Sequence, residues 1–549
     1  MHRVSLLFSS LFLGLFVFQG SAVHAQSGSS LISTRFNVNS SPMIVADIIK
    51  AGQKLENNGR WGEALTLYER AHKKHEQSSE IQKRLVNAKT HYDVIRRYSD
   101  SRFIQSVRQT SMRTAENIYS EVLLKIDSYF VAQPEWVRLA RQGLSNLDVA
   151  LQTPTFREAY LQGQSDAEVN YAFQRMHQIA KQFRVGSRRN TFDFGVAVAN
   201  GLANDLGIAQ QVVLFEFING ATTALDPYSS YLTGDQYADV MSQIDGNFVG
   251  LGVEIKPKKQ TLEIVSVIPN GPAEYSGLKQ GDFVIEIDNQ SVEIIGGESA
   301  ADMLKGTEGS LVSLKINRNG STINFAMTRR RVDIPSVQES KIIDKKNGIG
   351  YIKLVNFQKS TATAFEAALW KLHRLGMQSL IVDVRENPGG LLTASVDVAD
   401  LFVSRGVLVS TKGRNPREDF VHQARTEGTW TNLPLTVLID RDSASASEIF
   451  AGAIRDLNRG TIVGETSYGK GSVQGIFPLN VARGGIRLTT AKFYSPIGTA
   501  ISDRGVQPDV LVQKLLKPDL NAPLEKEGNQ MIQDSILKTG LMVAIKKNQ

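Results

Sequence analysis

The 549-residue chain contains no cysteine. Disulfides, thiol nucleophiles, thiolate metal sites and lipid attachment through a cysteine are therefore excluded. It has eight histidines, and they form no cluster of metal-ligand spacing with acidic residues, so no metal or organic cofactor is expected. A dense run of lysine and arginine is also missing. The net charge of +7 and pI of about 9.2 are only modestly basic, and the Arg329-Arg330-Arg331 triplet reads as a solvated strand end, so nucleic acid is not an expected partner. Beyond the N-terminus no apolar run is long enough to span a bilayer. What remains is ordinary for a globular chain: 42% hydrophobic and 21% charged residues, with length for about three domains.

Residues 1–25 read as a signal peptide. His2 and Arg3 precede an apolar run from Val4 to Phe18, and Val23-His24-Ala25 offers a small-residue cleavage site. The expectation is an exported protein, in a bacterial periplasm or secreted, with no stable transmembrane segment after cleavage. Residues 26–190 read as a helical N-terminal region, and 191–235 as a helical lead-in ending in Leu225-Asp226-Pro227-Tyr228. Within the first, about 51–76, Gly59-Arg60-Trp61-Gly62-Glu63-Ala64-Leu65 followed by Tyr68 and Ala71 resembles one tetratricopeptide hairpin. A single copy cannot build a solenoid. It reads either as a docking site for an adaptor or as an amphipathic pair packed on the rest. Residues 516–549 form a charged tail with a helix expected near 531–544.

Residues 236–332 carry short strands, Pro272-Ala273, and Gly277-Leu278-Lys279-Gln280-Gly281-Asp282. A helix is expected over Glu298–Lys305. This pattern resembles a PDZ domain, with Gly250-Leu251-Gly252-Val253 as the loop that binds a peptide carboxylate. Successive backbone N–H groups hold the terminal carboxylate there, and the adjoining strand edge adds the peptide as a further strand.

The stretch 435–474 organises the second half. Leu435–Ile439 is an apolar run of strand length, and after Asp440-Arg441-Asp442-Ser443-Ala444 comes Ser445. Apolar residues then recur at Ala446, Ile449, Phe450, Ala453, Ile454 and Leu457, one face of a helix. Ser445 thus stands at a helix mouth, where unpaired N–H groups and the dipole suit a developing oxyanion. The same letters, Ser445-Ala446-Ser447-Glu448, also spell a capping box, and on local pattern that reading is the commoner one. Lys470 lies between Gly469 and Gly471. Upstream, Leu380-Ile381-Val382 runs into Asp383-Val384-Arg385-Glu386-Asn387-Pro388-Gly389-Gly390, a turn whose glycines expose backbone N–H groups.

Together Asp383–Gly390, Ser443–Glu448, Gly464–Gln474 and Tyr494–Val510 resemble, in order and spacing, the carboxyl-terminal processing (tail-specific) serine peptidases. Ile118–Tyr129 is similar to the opening helix of that family, and Tyr468 stands where phenylalanine is usual. The resemblance implies a multidomain α/β plus α protein. Its crotonase-like spiral α/β peptidase core covers 333–515, with an inserted PDZ domain and the N-terminal helical region. It implies Ser445 as nucleophile, Lys470 as general base and Gln474 as the group that orients the lysine. It also implies an oxyanion hole from the backbone N–H of Ala446 and of Gly389 or Gly390. The chemistry is coherent on its own terms. An ammonium cannot accept a proton, but burial can lower an amine from about 10.4 toward about 7–8. Gln474, four residues on, would share a strand face with Lys470, and a neutral amide orients the amine without restoring its charge. The rival Ser-His-Asp arrangement has only His373 and His422 available in the second half, and no Gly-x-Ser-x-Gly elbow. The expected substrates are proteins or peptides with apolar C-terminal ends. The alternatives are a non-catalytic scaffold of PDZ domain and helical hairpin, and a different amidohydrolase using the same two residues.

Overall fold

The structure, a computed structural model, describes residues 45–258, 260–295, 297–425, 430–502, 504–512 and 534–547, with the backbone of Phe12–Gly14. Phe12–Gly14 is a short strand antiparallel to Gly390–Leu391, and the rest of the expected signal peptide lies outside the described residues. Two compact units emerge. Among the described residues, one gathers 45–234 with a return segment, Gln474–Thr490, and the other contains Phe12–Gly14, 235–473 and the residues from Ala491 on.

The first unit is helical from Val45 to Thr223. Ser111, Ser165 and Ser187 each cap a helix by accepting an N–H of its first turn, the local reason these helices begin where they do. The helix Gln210–Thr223 is buried on every side from Val212 to Thr222. Its Glu216 is satisfied by Arg97 at 2.5 Å and by the Tyr98 hydroxyl at 2.6 Å, as a buried charge requires. Gly220 lets this helix touch Trp136–Ala150: a β-carbon there would sit 2.4 Å from Gly143 N. Helices Val45–Asn57, Trp61–His72 and Ser79–Ser99 share a small core of Ile48, Leu65, Tyr68 and Ile81. The return segment is tied in by Glu121, whose carboxylate accepts the Asn480 and Val481 N–H groups. Gly484–Arg487 pairs antiparallel with Ser230–Thr233. No helix among the described residues is long and apolar enough to cross a membrane.

In the second unit, the part that resembles a PDZ domain is an antiparallel sheet of Val253–Pro257, Leu262–Val267, Phe283–Ile287, Leu311–Arg318 and Ser321–Thr328, in that spatial order. Val253–Pro257 is an edge strand, and the helix Gly297–Leu304 follows the sheet's third strand in the chain. Leu251, Leu262, Ile264, Val284, Leu314 and Ile316 fill its core. Asn247–Gly250 and Arg330–Asp333 pair antiparallel and form its stem.

The remaining core is a six-stranded sheet: β1 (Val337–Asp344), β2 (Ile349–Leu354), β3 (Ser379–Asp383), β4 (Leu435–Ile439), β5 (Thr461–Gly464) and β6 (Val510–Leu511). β1 is antiparallel to β2, and all later pairs are parallel. Every residue of β3 and β4 is buried, which explains the apolar run Leu380-Ile381-Val382 and the largely apolar Leu435–Ile439. The chain crosses between strands through α1 (Thr361–Arg374), α2 (Leu392–Asp400) and α3 (Ala446–Asp456). The tail returns as α4 (Ser535–Lys547), whose Ile536 and Ala544 join Ile349, Tyr351, Ile381, Leu438 and Val463 in one apolar cluster.

Candidate active site

In parallel sheets the chemistry collects outside the carboxyl ends of the strands, and here two such ends are neighbours. β3 and β4 are in register with Asp383 opposite Leu438, so the turns leaving them run side by side. They are stitched together. Glu386 N–H donates to Asp440 Oδ1 (3.0 Å), Ser443 Oγ donates to the Val384 carbonyl (2.8 Å), and Ala444 N–H and Ser447 Oγ both donate to the Asn387 carbonyl (3.0 and 2.9 Å). Asp383 itself is clamped by the Tyr351 hydroxyl at 2.8 Å and by Arg385 at 2.6 Å, and Arg385 reaches on to Asp534 ahead of α4 at 2.7 Å.

Ser445 has φ +54° and ψ −110°. A plain N-cap residue adopts extended backbone. The left-handed region is one that a β-carbon resists, and such strain persists only where the surroundings impose it. The first-turn amides of Glu448 and Ile449 bond the Ser445 carbonyl, at 2.9 and 3.0 Å. The reach-back half of the capping box is present, because Glu448 Oε2 accepts Ser445 N–H at 2.7 Å.

Two glycines allow the turns to meet. A β-carbon on Gly389, at φ +108°, would lie 2.9 Å from both Ser445 Cβ and Ala446 N. On Gly390, at φ +138°, it would lie 2.0 Å from the Phe357 carbonyl oxygen. Gly389 N–H donates to Asn387 Oδ1 at 2.9 Å.

Glu448 does more than cap. Its Oε2 accepts Lys470 N–H at 2.9 Å as well as Ser445 N–H, while Oε1 accepts Ser467 Oγ at 2.6 Å and Gly469 N–H at 2.7 Å. One fully buried carboxylate therefore holds the backbones of Ser445 and Lys470 together. Burial pushes that carboxyl above its ordinary value of 4.5, against the lowering effect of the Ser467 hydroxyl and the three amides. This role was not legible in the sequence. The available signal was a carboxylate within 446–454, where every other residue is small or apolar and buried.

Lys470 is 2% exposed, and a β-carbon on the following Gly471 would meet Ser502 N at 2.3 Å. Gln474 is fully buried and its Nε2 donates to Thr489 Oγ1 at 3.3 Å. The strand containing Gln474 begins at Ser472, so Lys470 lies in the preceding loop. The expectation of a shared strand face is corrected accordingly. His373 packs against Trp370 and Trp430, and His422 lies on the strand Phe420–Gln423.

In the PDZ-like part, Gly250-Leu251-Gly252-Val253 is braced from behind: the Leu251 carbonyl accepts Ala273 N–H and the Gly252 carbonyl accepts Ile268 N–H, at 2.8 and 2.9 Å. Gly252 takes φ +78°, and Val253 begins the edge strand.

The profile of peptidase family S41 matches residues 348–512, and that of the PDZ domain matches residues 263–318. The chain is 36% identical over 312 residues to a carboxy-terminal-processing protease of Bartonella bacilliformis, covering 56% of this chain and 71% of that one. It is 34% identical over 298 residues to a carboxyl-terminal-processing protease of Synechocystis sp., covering 53% and 69% respectively. Among solved structures, the photosystem II D1 C-terminal processing protease is 26% identical, with 74% of this chain and 95% of that one covered at a TM-score of 0.39.

Proposed function

Because the chain belongs to the carboxyl-terminal-processing protease family and is a serine peptidase with a PDZ domain, we propose that Ser445 is its nucleophile and Lys470 the general base. The observation that carries this reading is the strained Ser445 backbone at the head of α3, tied through Glu448 to the backbone of Lys470. An ordinary cap needs neither feature. The burial of Lys470 supports its role, since leaving water disfavours the ammonium.

In the proposed reaction the neutral Lys470 amine takes the proton from Ser445 Oγ as that oxygen bonds to the scissile carbonyl carbon. The carbonyl π pair moves onto oxygen, where the N–H groups of Ala446 and of Gly389 or Gly390 receive the charge. Collapse expels the amine, which takes its proton from Lys470, and water hydrolyses the acyl-enzyme by the same base. Gln474 orients the Lys470 amine.

The substrates in this reading are exported proteins with apolar C-terminal ends. The Gly250–Val253 loop takes the carboxylate, the Val253–Pro257 edge adds the tail as a strand, and tethering raises the substrate's local concentration. The protein itself works in the periplasm or outside the cell, and the hairpin near 51–76 is a docking site for an adaptor. The test is turnover of an unstructured, apolar-tailed peptide with and without its last three residues. Loss of the tail should slow cleavage, and Ser445→Ala and Lys470→Ala should each abolish it. Full activity in either variant would refute the assignment.

A further inference from the structure

We propose that Asn387 is the positioning residue of the oxyanion site, fixing from one buried side chain and one carbonyl both peptide groups that receive the developing charge. This rests on the reading of Ser445 as nucleophile. Asn387 is fully buried and bridges three segments. Its Nδ2 donates to the Leu354 carbonyl at the end of β2 (3.0 Å), and its Oδ1 accepts Gly389 N–H (2.9 Å). Its own carbonyl accepts Ala444 N–H and Ser447 Oγ, at 3.0 and 2.9 Å.

Two consequences follow for the donors. In extended backbone alternate amides point to opposite sides. Gly389 N–H is turned to Asn387, and Leu391 N–H is turned to the Phe357 carbonyl at 2.7 Å. Gly390 N–H is thereby turned to the other side, where Gly14 of the short strand Phe12–Gly14 lies opposite it, and a substrate carbonyl taking the place of that strand would meet Gly390 rather than Gly389. On the facing turn, Ala446 N–H is bracketed by Ala444 and Ser447, both anchored to the same Asn387 carbonyl. The Ala446 amide cannot shift without breaking one of those bonds. The side chain must be an amide because it donates to one carbonyl while accepting from an N–H. A carboxylate keeps the acceptor but sets a second oxygen against the Leu354 carbonyl.

That last point supplies the test. Asn387→Asp in the full chain is assayed with a fluorogenic unstructured peptide ending in apolar residues, and with a peptide aldehyde of matching sequence as a tetrahedral mimic. At mildly alkaline pH, kcat should fall by about 100-fold or more, as when an oxyanion donor is lost, with KM little changed and aldehyde affinity falling in parallel. As the pH is lowered, the ratio of variant to wild-type kcat should rise, because the introduced carboxyl, once protonated, again donates to the Leu354 carbonyl. Wild-type kcat in the variant, or a loss that neither recovers in acid nor weakens the aldehyde, overturns the proposal. If Asn387→Asp does not fold, Ser447→Ala removes one of the two ties to the Asn387 carbonyl. It should then lower kcat about fivefold, the equivalent of one ordinary hydrogen bond, and an unchanged kcat overturns the proposal. Ser445→Ala run alongside keeps the two readings apart. If it is active the nucleophile assignment fails, and if it is dead beside an unaffected Asn387→Asp, only the role of Asn387 fails.

Discussion

Replacing Glu448 with glutamine changes one atom and separates geometry from stability. Four donors converge on its two oxygens: Ser445 N–H and Lys470 N–H on one, Ser467 Oγ and Gly469 N–H on the other. Glutamine offers a single oxygen. Whichever way the amide turns, two buried donors lose their acceptor, at about 1–3 kcal/mol each. Removing a buried charge returns several kcal/mol, so the two nearly cancel and the melting temperature should move little. The geometry has no such compensation. An NH₂ group facing two N–H donors pushes the backbones of Ser445 and Lys470 apart, and a displacement of about 1 Å costs about 100-fold in rate. The assay is kcat on an unstructured, apolar-tailed peptide, with thermal and urea unfolding of the same preparation.

The pH profile adds a second arm. Burial raises the Glu448 carboxyl above 4.5, so wild-type activity should begin to fall in acid above the ordinary carboxylate range, as protonation mimics the glutamine. With the folded value raised, the group's contribution to stability is fullest below the ordinary value and is lost as pH rises through the raised one. Glu448→Gln should lack both dependences. Near-wild-type kcat in the variant, or a loss matching only its unfolded fraction, would refute the reasoning.

Other substitutions test separate parts. Gly390→Ala places a β-carbon 2.0 Å from the Phe357 carbonyl oxygen, and should abolish turnover while lowering stability by about 1–3 kcal/mol, read by thermal melting. Asp534→Asn removes one of the two carboxylate partners of Arg385, but Asp534 is 40% exposed, so the unfolding free energy read from urea titration should fall by no more than about 1 kcal/mol. Despite its burial, the Arg385 guanidinium and the Leu537 N–H hold the Asp534 carboxyl below 3.8. Its contribution is therefore present above that value and lost as pH falls through the lowered one. Gly252→Val strains a backbone at φ +78° in the loop proposed to take the carboxylate, and should raise KM for tailed peptides while sparing peptides without the tail.

Much of this was readable because the decisive signals are local. The apolar run 435–439 and the helical spacing after Ser445 match β4 and α3, since burial on both faces of a strand and on one helix stripe marks the sequence directly. The helix expected near 531–544 appears as Ser535–Lys547. The chain is a serine peptidase of the expected family, and the PDZ pattern is matched within 236–332. What was not readable depends on distant partners. Glu448 looks like a cap because the box is local, whereas Ser467, Gly469 and Lys470 lie about twenty residues on. Asn387 looks like a turn residue, and its partners come from 354 and 444–447. The shared strand face of Lys470 and Gln474 failed because a loop extends to Gly471 before the strand begins.

The most direct measurement concerns where, and by which base, the covalent intermediate forms. Wild-type protein and Lys470→Ala are mixed with an activated peptide ester, quenched in acid across a pH series, digested and mapped by mass spectrometry. The acyl group should be found on Ser445, with a formation rate that follows the ionisation of one base and collapses in Lys470→Ala. An acyl group on any other residue, or an unchanged rate and pH profile without Lys470, would contradict the account.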